Sequence, residues 1–233
     1  MNKELFSYLR FEDKVRGSVE QAKDEMKKYL AFFEGCANVL DFGCGRGEFL
    51  ELLREAGIGC HGVDSDPEMV RLCREKGLTC LEGDGLSHLA EIAEGSLDGL
   101  IASHVVEHLA RENFFRLVEL ASTRLKSGGV FIAETLNPQC VFTQGVFHLD
   151  PTHQQFVHPQ LFQHLLTELG FQDIKLITRQ YLPEELLKFE NFVPPSNPPS
   201  PLEAAYLETV RKLDILSKLL LRDFLYAVSA RRS

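Results

Sequence analysis

The stretch VLDFGCGRGEFL, from Val39 to Leu50, holds three glycines at alternate positions between two apolar segments. The apolar residues before the glycines predict a short buried strand, and segment 47–57 predicts an amphipathic helix that ends at a glycine. A glycine-rich turn between a strand and a helix lets backbone amides approach a ligand closely. The stretch therefore predicts the first unit of an α/β fold, with a ligand site at its turn.

Strand-like and helix-like segments alternate along the rest of the chain. Five further strands are predicted, with helices between them, at GCHGVDSD (59–66), LTCLEGD (78–84), SLDGLIASHV (96–105), VFIAETLN (130–137) and FQDIKLITRQYL (171–182). The helix before VFIAETLN is expected to run over 111–129 and to close at a glycine pair. This alternation favours a parallel sheet with helices on both faces.

The two ends of the chain depart from this alternation. Residues 3–34 read as helical, whereas VPPSNPPSP belongs to a proline-rich, extended connector over 183–201. An amphipathic helix is predicted from about Leu202 to Arg222, and FLYAVSARR (224–232) predicts a last strand. If this strand pairs with strand six, segment 183–222 is an insertion between two adjacent strands. We divide the chain into an N-terminal helical segment that covers the ligand site, a core, an insertion and a last core strand, at 1–35, 36–182, 183–222 and 223–233.

Composition limits the classes of function and partner. The 233 residues carry a net charge of −9, which argues against a large nucleic-acid footprint because such a footprint needs a basic face. No apolar run approaches the roughly 20 residues of a membrane span, and the first residues lack a secretory signal. Six cysteines without a CxxC pair indicate a reducing compartment. We expect a cytoplasmic protein with no membrane span.

The spacing of Gly43, Gly45 and Gly47 discriminates among ligands. A phosphate-binding P-loop requires a lysine that is absent here, and in the dinucleotide fingerprint GxGxxG the third glycine comes one position later. Asp41 and Glu48 flank the turn and would repel a pyrophosphate. The charge pattern favours a ligand with an ammonium or sulfonium group.

Asp41 to Gly47 closely resembles the first motif of class I S-adenosylmethionine-dependent methyltransferases. Later features agree in order: GVDSD ends strand two with Asp64, EGDG ends strand three with Asp84, and the fourth and fifth strand motifs are similar. The resemblance covers about residues 36–175. It implies a Rossmann-like seven-stranded, mostly parallel sheet, with a helical insertion before the last strand.

The resemblance also implies roles in binding S-adenosylmethionine. Gly43, Gly45 and Gly47 would admit the methionine portion, Asp64 would hold the ribose, and Asp84 with Gly85 would border the adenine. Arg16 could reach the cofactor carboxylate, or it could be a solvated arginine. The remaining residues that we assign to cofactor binding are Asp41, Ser65 and Ser103.

A second resemblance concerns the methyl acceptor. ETLNP (134–138) and FHLDPTHQQFVHPQLFQHLLTELGF (147–171) look like a bacterial methyltransferase subgroup linked to surface-polysaccharide and O-antigen synthesis. His104 and the C-terminal insertion depart from that subgroup. The likeness implies a small-molecule or glycan acceptor, namely an oxygen of a sugar or of a glycan-linked phosphate.

Polar residues after strands four and five are the candidate catalytic groups: His104, Glu107, His108 and His153, with Glu134, Asn137, Asp150 and His158 nearby. On a helical turn His104, Glu107 and His108 would share one face. His108 or His104 could then be a general base oriented by Glu107 or Asp150. They could instead bind a divalent metal with a distal histidine, or simply pack beneath the cofactor.

The metal alternative has its own family resemblance. Small-RNA 3′-terminal 2′-O-methyltransferases carry a similar acid and histidine cluster in this loop, although His104 replaces an acid. This leaves a metal-dependent RNA ribose methyltransferase as an alternative function, although neither a metal nor a nucleic-acid partner is expected here. A second alternative is a non-catalytic cofactor-binding scaffold that recruits glycosyltransferases. The leucines of the helix over 202–222 either pack on their own domain or contact a second copy or another partner.

Overall fold

The computed structural model describes residues 7–15, 17–179, 200–220 and 223–233. These residues form one seven-stranded sheet. The strands are β1 (Val39–Phe42), β2 (Cys60–Asp64), β3 (Cys80–Glu82), β4 (Leu97–Ser103), β5 (Leu125–Leu136), β6 (Phe171–Arg179) and β7 (Leu225–Arg232).

Helices separate most of the strands. They are α1 (Tyr8–Val15), α2 (Val19–Met26), α3 (Glu48–Glu55), α4 (Pro67–Glu75), α5 (Gly85–Glu91), α6 (Arg111–Arg124), α7 (Thr143–Leu149), α8 (Pro159–Glu168) and α9 (Pro201–Leu220). Two short 3₁₀ helices cover Lys27–Phe33 and Val106–His108. Asp66 and Asp84 cap α4 and α5 by accepting backbone N–H bonds from the first turn of each helix.

The strand order is β3-β2-β1-β4-β5-β7-β6. The pairs among β1 to β5 are parallel, and β7 runs antiparallel between β5 and β6. The predicted fold class is therefore confirmed, and the last strand does pair with strand six, which makes the segment between them an insertion. The order reverses between β1 and β4, and in such sheets ligands bind beyond the carboxyl ends of the strands at this point.

The sheet buries side chains on both faces. Leu100 of β4 belongs to an apolar cluster with Phe114 and Phe162, and its neighbour Ile101 belongs to a separate cluster with Phe33 and Phe49. Adjacent strand residues point to opposite faces, so a strand covered on both sides is apolar throughout. This burial holds the carboxyl ends of the central strands in place beneath the site.

Two local predictions differ from the structure. The predicted N-terminal helix is divided because Gly17 adopts a left-handed backbone (φ +83°) and Ser18 forms a capping box that starts α2. The helix predicted over 111–129 ends at Arg124, and the residues that follow, including the glycine pair, open β5. The register of the β4–β5 pair shifts between Leu125 and Val130, and Gly128 lies within this irregularity with a left-handed backbone (φ +78°).

The C-terminal insertion is described only in part. The proline-rich connector over 183–201 lies almost wholly outside the described residues, whereas α9 occupies most of the predicted helix. Leu213 and Leu216 of the predicted stripe are exposed. The contact of this helix with a partner or with its own domain stays a prediction, as does the division of the chain into four segments.

Within the described residues, no helix is both long enough and apolar enough to cross a bilayer.

Candidate active site

A cleft of about 350 Å³ lies at the carboxyl ends of β1, β2 and β4. Nine residues predicted to belong to the site line this cleft: Gly43, Gly45, Asp64, Ser65, Asp84, Gly85, Ser103, His104 and His108. They come from the loops after four different strands. The fold thus brings together, at one edge of the sheet, segments that lie up to 65 residues apart in sequence. Ligands of parallel sheets bind at this edge, beyond the carboxyl ends of the strands.

The glycine loop depends on conformations that other residues rarely adopt. Gly43 and Gly45 have left-handed backbones, with φ of +72° and +52°. A Cβ atom on Gly43 would lie 2.6 Å from a methyl group of Val105, which itself lines the cleft. The missing side chains keep the loop backbone close to the cleft.

Asp64 ties this loop to β2. Its Oδ2 accepts the Gly45 N–H at 2.8 Å, and its Oδ1 accepts the Asp66 N–H at 2.9 Å. Burial raises the pKa of Asp64, and the negative charges of Asp66 and Glu12 act in the same direction, while the two amides oppose them. A carboxylate held this way faces the cleft in a fixed orientation.

Asp84 and Gly85 form the far end of the cleft. Asp84 Oδ2 accepts the Ser87 N–H at 2.8 Å, so this carboxylate caps α5 as well as lining the cleft. A Cβ on Gly85 would lie 2.7 Å from the ring of Phe42, so glycine lets the ring pack closely against the backbone. The result is an apolar wall beside an acidic group.

Three residues predicted to bind the cofactor are placed differently. Asp41 is a buried residue of β1, and it does not line the cleft. Gly47 starts α3 with φ +83°, and a Cβ there would lie 2.6 Å from Leu78, so packing accounts for this glycine. Arg16 lies outside the described residues.

Four carboxylates surround the cofactor end of the cleft: Glu12, Asp64, Asp66 and Asp84. This negative charge favours a cationic ligand and disfavours a pyrophosphate. S-adenosylmethionine carries an ammonium and a sulfonium, and its adenine suits the wall between Phe42 and Gly85. The residues present therefore fit this cofactor.

His104 has an unusual backbone on the other side of the cleft. It adopts φ +55°, and only the next residues, Val106–His108, form a 3₁₀ turn. His104 Nδ1 lies 3.2 Å from Glu107 Oε1, and its Nε2 lies 3.6 Å from Glu134 Oε1. The predicted helical face is thus replaced by a strained residue that spans two carboxylates.

Glu107 and Glu134 are buried beneath His104. Glu134 accepts hydrogen bonds from Lys28 Nζ at 2.8 Å and from the Tyr29 hydroxyl. Burial alone would raise the pKa of Glu134, but His104 and Lys28 hold it below its usual value. Glu107 accepts a bond from Thr135 Oγ1 at 2.8 Å, and despite its burial the neighbouring imidazoles lower its pKa to about 2. Both side chains are therefore carboxylates at neutral pH.

His108 belongs to a chain of hydrogen bonds. Its Nδ1 lies 2.8 Å from Thr152 Oγ1, and the Thr152 hydroxyl lies 2.6 Å from Asp150 Oδ1. A carboxylate only accepts, so Thr152 donates to Asp150 and accepts from His108 Nδ1–H. This tautomer leaves the lone pair on Nε2. Burial lowers the pKa of His108, so the ring is neutral at neutral pH and is able to accept a proton.

His153 lies behind His108 and does not line the cleft. Its Nδ1–H donates to the Phe147 carbonyl at 2.8 Å, and its ring centre is 4.5 Å from that of His108. A possible metal site is formed by three ligand atoms that lie within 4.8 Å of one another, one each from Glu107, His108 and His153. This group could hold a divalent cation, whereas His104 is directed toward the two carboxylates.

The remaining polar candidates serve mainly in structure. Asn137 Nδ2 donates to the Asp223 carbonyl at 2.7 Å, and His158 Nδ1 caps α8 by accepting the Gln160 N–H at 3.2 Å. Sequence reasoning did not single out Thr152 as a functional residue, although its position in an Asp-Pro-Thr turn was a usable signal. Other cleft residues that were not predicted are Glu12, Phe42, Val63, Asp66, Met69, Val105 and Leu109.

Comparison with known proteins identifies the family. The family described as "Methyltransferase domain" matches residues 11–176. A crystal structure of a SAM-dependent methyltransferase from Archaeoglobus fulgidus is 36% identical, has a TM-score of 0.85, and covers 97% of this chain and 100% of its own.

Curated relatives agree over shorter regions. An uncharacterized methyltransferase of Bacillus cytotoxicus is 29% identical over 52% of this chain and 60% of its own length. A ubiquinone biosynthesis O-methyltransferase of Xanthomonas oryzae pv. oryzae is 30% identical over 43% of this chain. The match spans 44% of that protein, so the chain covers about half the length of these relatives. The chain belongs to the methyltransferase domain family and has the fold of the class I S-adenosylmethionine-dependent methyltransferases.

Proposed function

We propose that this protein transfers a methyl group from S-adenosylmethionine to a hydroxyl oxygen, with His108 as the general base. The observation that carries this proposal is the hydrogen-bonded chain from His108 through Thr152 to Asp150 at the wall of the cleft. A hydroxyl must lose its proton as the new bond forms, so this acceptor needs a base. A phosphate or carboxylate oxygen needs one much less.

Residues on the cofactor side bind and orient. The cofactor, when bound, supplies an electrophilic methyl group on its sulfonium. Gly43 and Gly45 admit its methionine portion, Asp64 accepts from the ribose hydroxyls, and Asp84 with Gly85 borders the adenine. The acceptor then needs only correct alignment and removal of its proton, since transfer is an in-line displacement.

Residues on the acceptor side handle the proton. The Thr152–Asp150 pair fixes His108 in the tautomer with Nδ1–H, so that Nε2 is the basic atom. After proton transfer the imidazolium is stabilised by Asp150 and by the buried carboxylate of Glu107. His104 with its two carboxylates supports this loop and positions it; it is not assigned a proton-transfer step.

The acceptor class follows from charge and from resemblance. The four carboxylates of the cleft lie at its cofactor end, and their negative charge also disfavours an anionic molecule in the same cleft, which favours a sugar hydroxyl over a glycan-linked phosphate or an RNA ribose. The likeness of segment 147–171 to polysaccharide-linked methyltransferases supports a saccharide. We therefore propose a sugar hydroxyl in glycan synthesis, carried out in the cytoplasm.

A phenolic hydroxyl of a small aromatic molecule is the second candidate. The Xanthomonas relatives are named as O-methyltransferases of ubiquinone biosynthesis. In this chain the wall of the cleft near His108 includes the apolar side chains of Val105 and Leu109. The same base would serve a phenol. The two acceptors differ in the group that the rest of the cleft must bind, which is a polar sugar in one case and an apolar aromatic ring in the other.

A panel assay tests the proposal. Methyl turnover is followed by release of S-adenosylhomocysteine with nucleotide sugars, oligosaccharides, small phenols and short RNAs, each with and without a metal chelator. The proposal expects turnover on a hydroxyl acceptor that survives chelation and is lost in His108→Gln. Turnover only on RNA and only with added metal would instead identify a metal site at Glu107, His108 and His153. Cofactor binding without turnover on any acceptor would favour a scaffold.

A further inference from the structure

Three cysteines converge beneath the glycine loop, and the proposed methyl transfer uses none of them. Cys44 lies within the loop after β1, Cys73 lies in α4, and Cys80 starts β3. All six cysteines of the chain are free thiols, and these three are buried, each 6% exposed or less. Their sulfur atoms all lie within 4.8 Å of one another.

The spacing of the sulfurs suits a metal ion at their centre. Cys44 Sγ and Cys80 Sγ are 3.3 Å apart, and the other two pairs are no more than 4.8 Å apart. Three thiolates bound to one ion at about 2.3 Å in a trigonal plane would be about 4.0 Å apart. The Cys44–Cys80 pair is about 0.7 Å closer than that value, and the other two pairs exceed it by no more than about 0.8 Å, so small side-chain rotations suffice to bring the three sulfurs to it.

Two glycines beside the cluster leave room for the sulfur atoms. A Cβ on Gly62 would lie 2.6 Å from Cys44 Sγ, and one on Gly47 would lie 2.9 Å from Cys73 Sγ. The packing partners of the cluster are apolar: Leu50, Val70 and Leu78. Within the described residues, no histidine or carboxylate joins the three sulfurs as a fourth ligand.

These features select the metal. Ligands that are all sulfur favour soft ions such as Cu(I) and Zn(II). Structural zinc takes four ligands, whereas this group offers three in an apolar setting. We propose that Cys44, Cys73 and Cys80 form a three-coordinate site for a soft monovalent ion, Cu(I), which fastens the glycine loop to α4 and β3.

Binding has a defined proton balance. Each cysteine that becomes a thiolate ligand releases its S–H proton to solvent, and no electron is transferred because the ion enters as Cu(I). The Cys73 thiol also gives up its hydrogen bond to the Gly45 carbonyl, at 3.3 Å in the structure. The affinity for Cu(I) should therefore rise with pH.

An anaerobic titration of the full chain with ascorbate-reduced Cu(I), in competition with a chromophoric Cu(I) chelator, tests the site. We expect one Cu(I) per chain, an X-ray absorption spectrum with only sulfur around the copper, and a higher melting temperature. Cys44→Ala, Cys73→Ala and Cys80→Ala should each weaken binding by about tenfold or more. Cys36→Ala is the matched control, because this cysteine lies outside the cluster and should leave binding unchanged.

Several outcomes would overturn the site. These are no uptake of Cu(I), binding that all three alanine variants retain, nitrogen ligands that point to the histidine group, or a Cys44–Cys80 disulfide formed under these conditions. Circular dichroism checks that each variant folds, and one folded variant suffices for the comparison. Competition with the chelator reports metal binding alone, so the result is independent of whether methyl transfer takes place.

Discussion

The two sides of the cleft are built in different ways. The cofactor side consists of backbone and helix caps: left-handed Gly43 and Gly45, with Asp64 fastening the loop through two main-chain amides. The acceptor side consists of side-chain contacts between distant segments, such as Lys28 with Glu134 and His108 with Thr152. A site made of backbone suits one constant ligand, whereas a site made of side chains can change its acceptor without changing the fold. Mutations on the cofactor side should therefore weaken cofactor binding, and mutations on the acceptor side should lower turnover without weakening that binding.

The largest expected effect is on the acceptor side. His108→Gln removes the base but keeps a polar side chain, so turnover should fall by about 10² to 10⁴-fold. The affinity for S-adenosylmethionine should stay within about twofold, since the cofactor contacts lie elsewhere in the cleft. Turnover is measured by release of S-adenosylhomocysteine, and cofactor affinity by calorimetry. Unchanged turnover would remove His108 from the mechanism.

The next effect is on the cofactor side. Asp64→Ala removes the carboxylate that we assign to the ribose, at a cost of about 1.5 to 3 kcal/mol in binding free energy, or about 10 to 150-fold in dissociation constant. Glu82→Ala is the matched control, because this exposed carboxylate ends β3 without lining the cleft. Equal losses in the two variants, measured by calorimetry, would mean that general charge and not Asp64 governs binding.

The cofactor side of the cleft could be predicted from the sequence more fully than the acceptor side. Gly43 and Gly45 could be predicted because a tight turn between a strand and a helix demands glycine within a few positions. Asp64 and Asp84 were predicted from the order of the motifs that resemble the methyltransferase family. The sheet was predictable because apolar runs and glycine stops are local.

The acceptor side resisted prediction because its contacts are long-range. Thr152 reaches His108 across 44 residues, and Lys28 reaches Glu134 across 106. Local spacing placed His104 and His108 on one helical face, yet the left-handed backbone of His104 separates them. The loop that carries His104 is supported by Glu134 of β5, which in turn binds Lys28. This support becomes visible only in the folded structure.

Two glycines with the same backbone conformation differ in how crowded their surroundings are. Gly43 and Gly57 share φ of +72°, but a Cβ would meet Val105 at 2.6 Å only at Gly43, while at Gly57 it meets nothing within 4 Å. Both alanine variants incur backbone strain, and crowding should cost Gly43→Ala about 1 to 3 kcal/mol more in unfolding free energy. Chemical denaturation measures the difference. Equal losses of unfolding free energy in the two variants would show that the glycine loop shifts to accommodate the Cβ without cost.

The smallest effect concerns pH. His108 must be neutral to act, and burial lowers its pKa, so kcat/KM should fall with acidification only below the ordinary histidine value of about 6.5. Asp150 raises this pKa and His153 lowers it. Asp150→Asn should therefore move the acid limb to lower pH, and His153→Gln should move it to higher pH. Shifts in the same direction would contradict the assignment of the limb to His108.

Calorimetric titration of S-adenosylmethionine into the wild-type chain, Asp64→Ala and His108→Gln tests the division of the cleft most directly. We expect one cofactor per wild-type chain, clear weakening in Asp64→Ala and nearly unchanged binding in His108→Gln. No heat from the wild type at millimolar cofactor, or equal losses in the two variants, would contradict it.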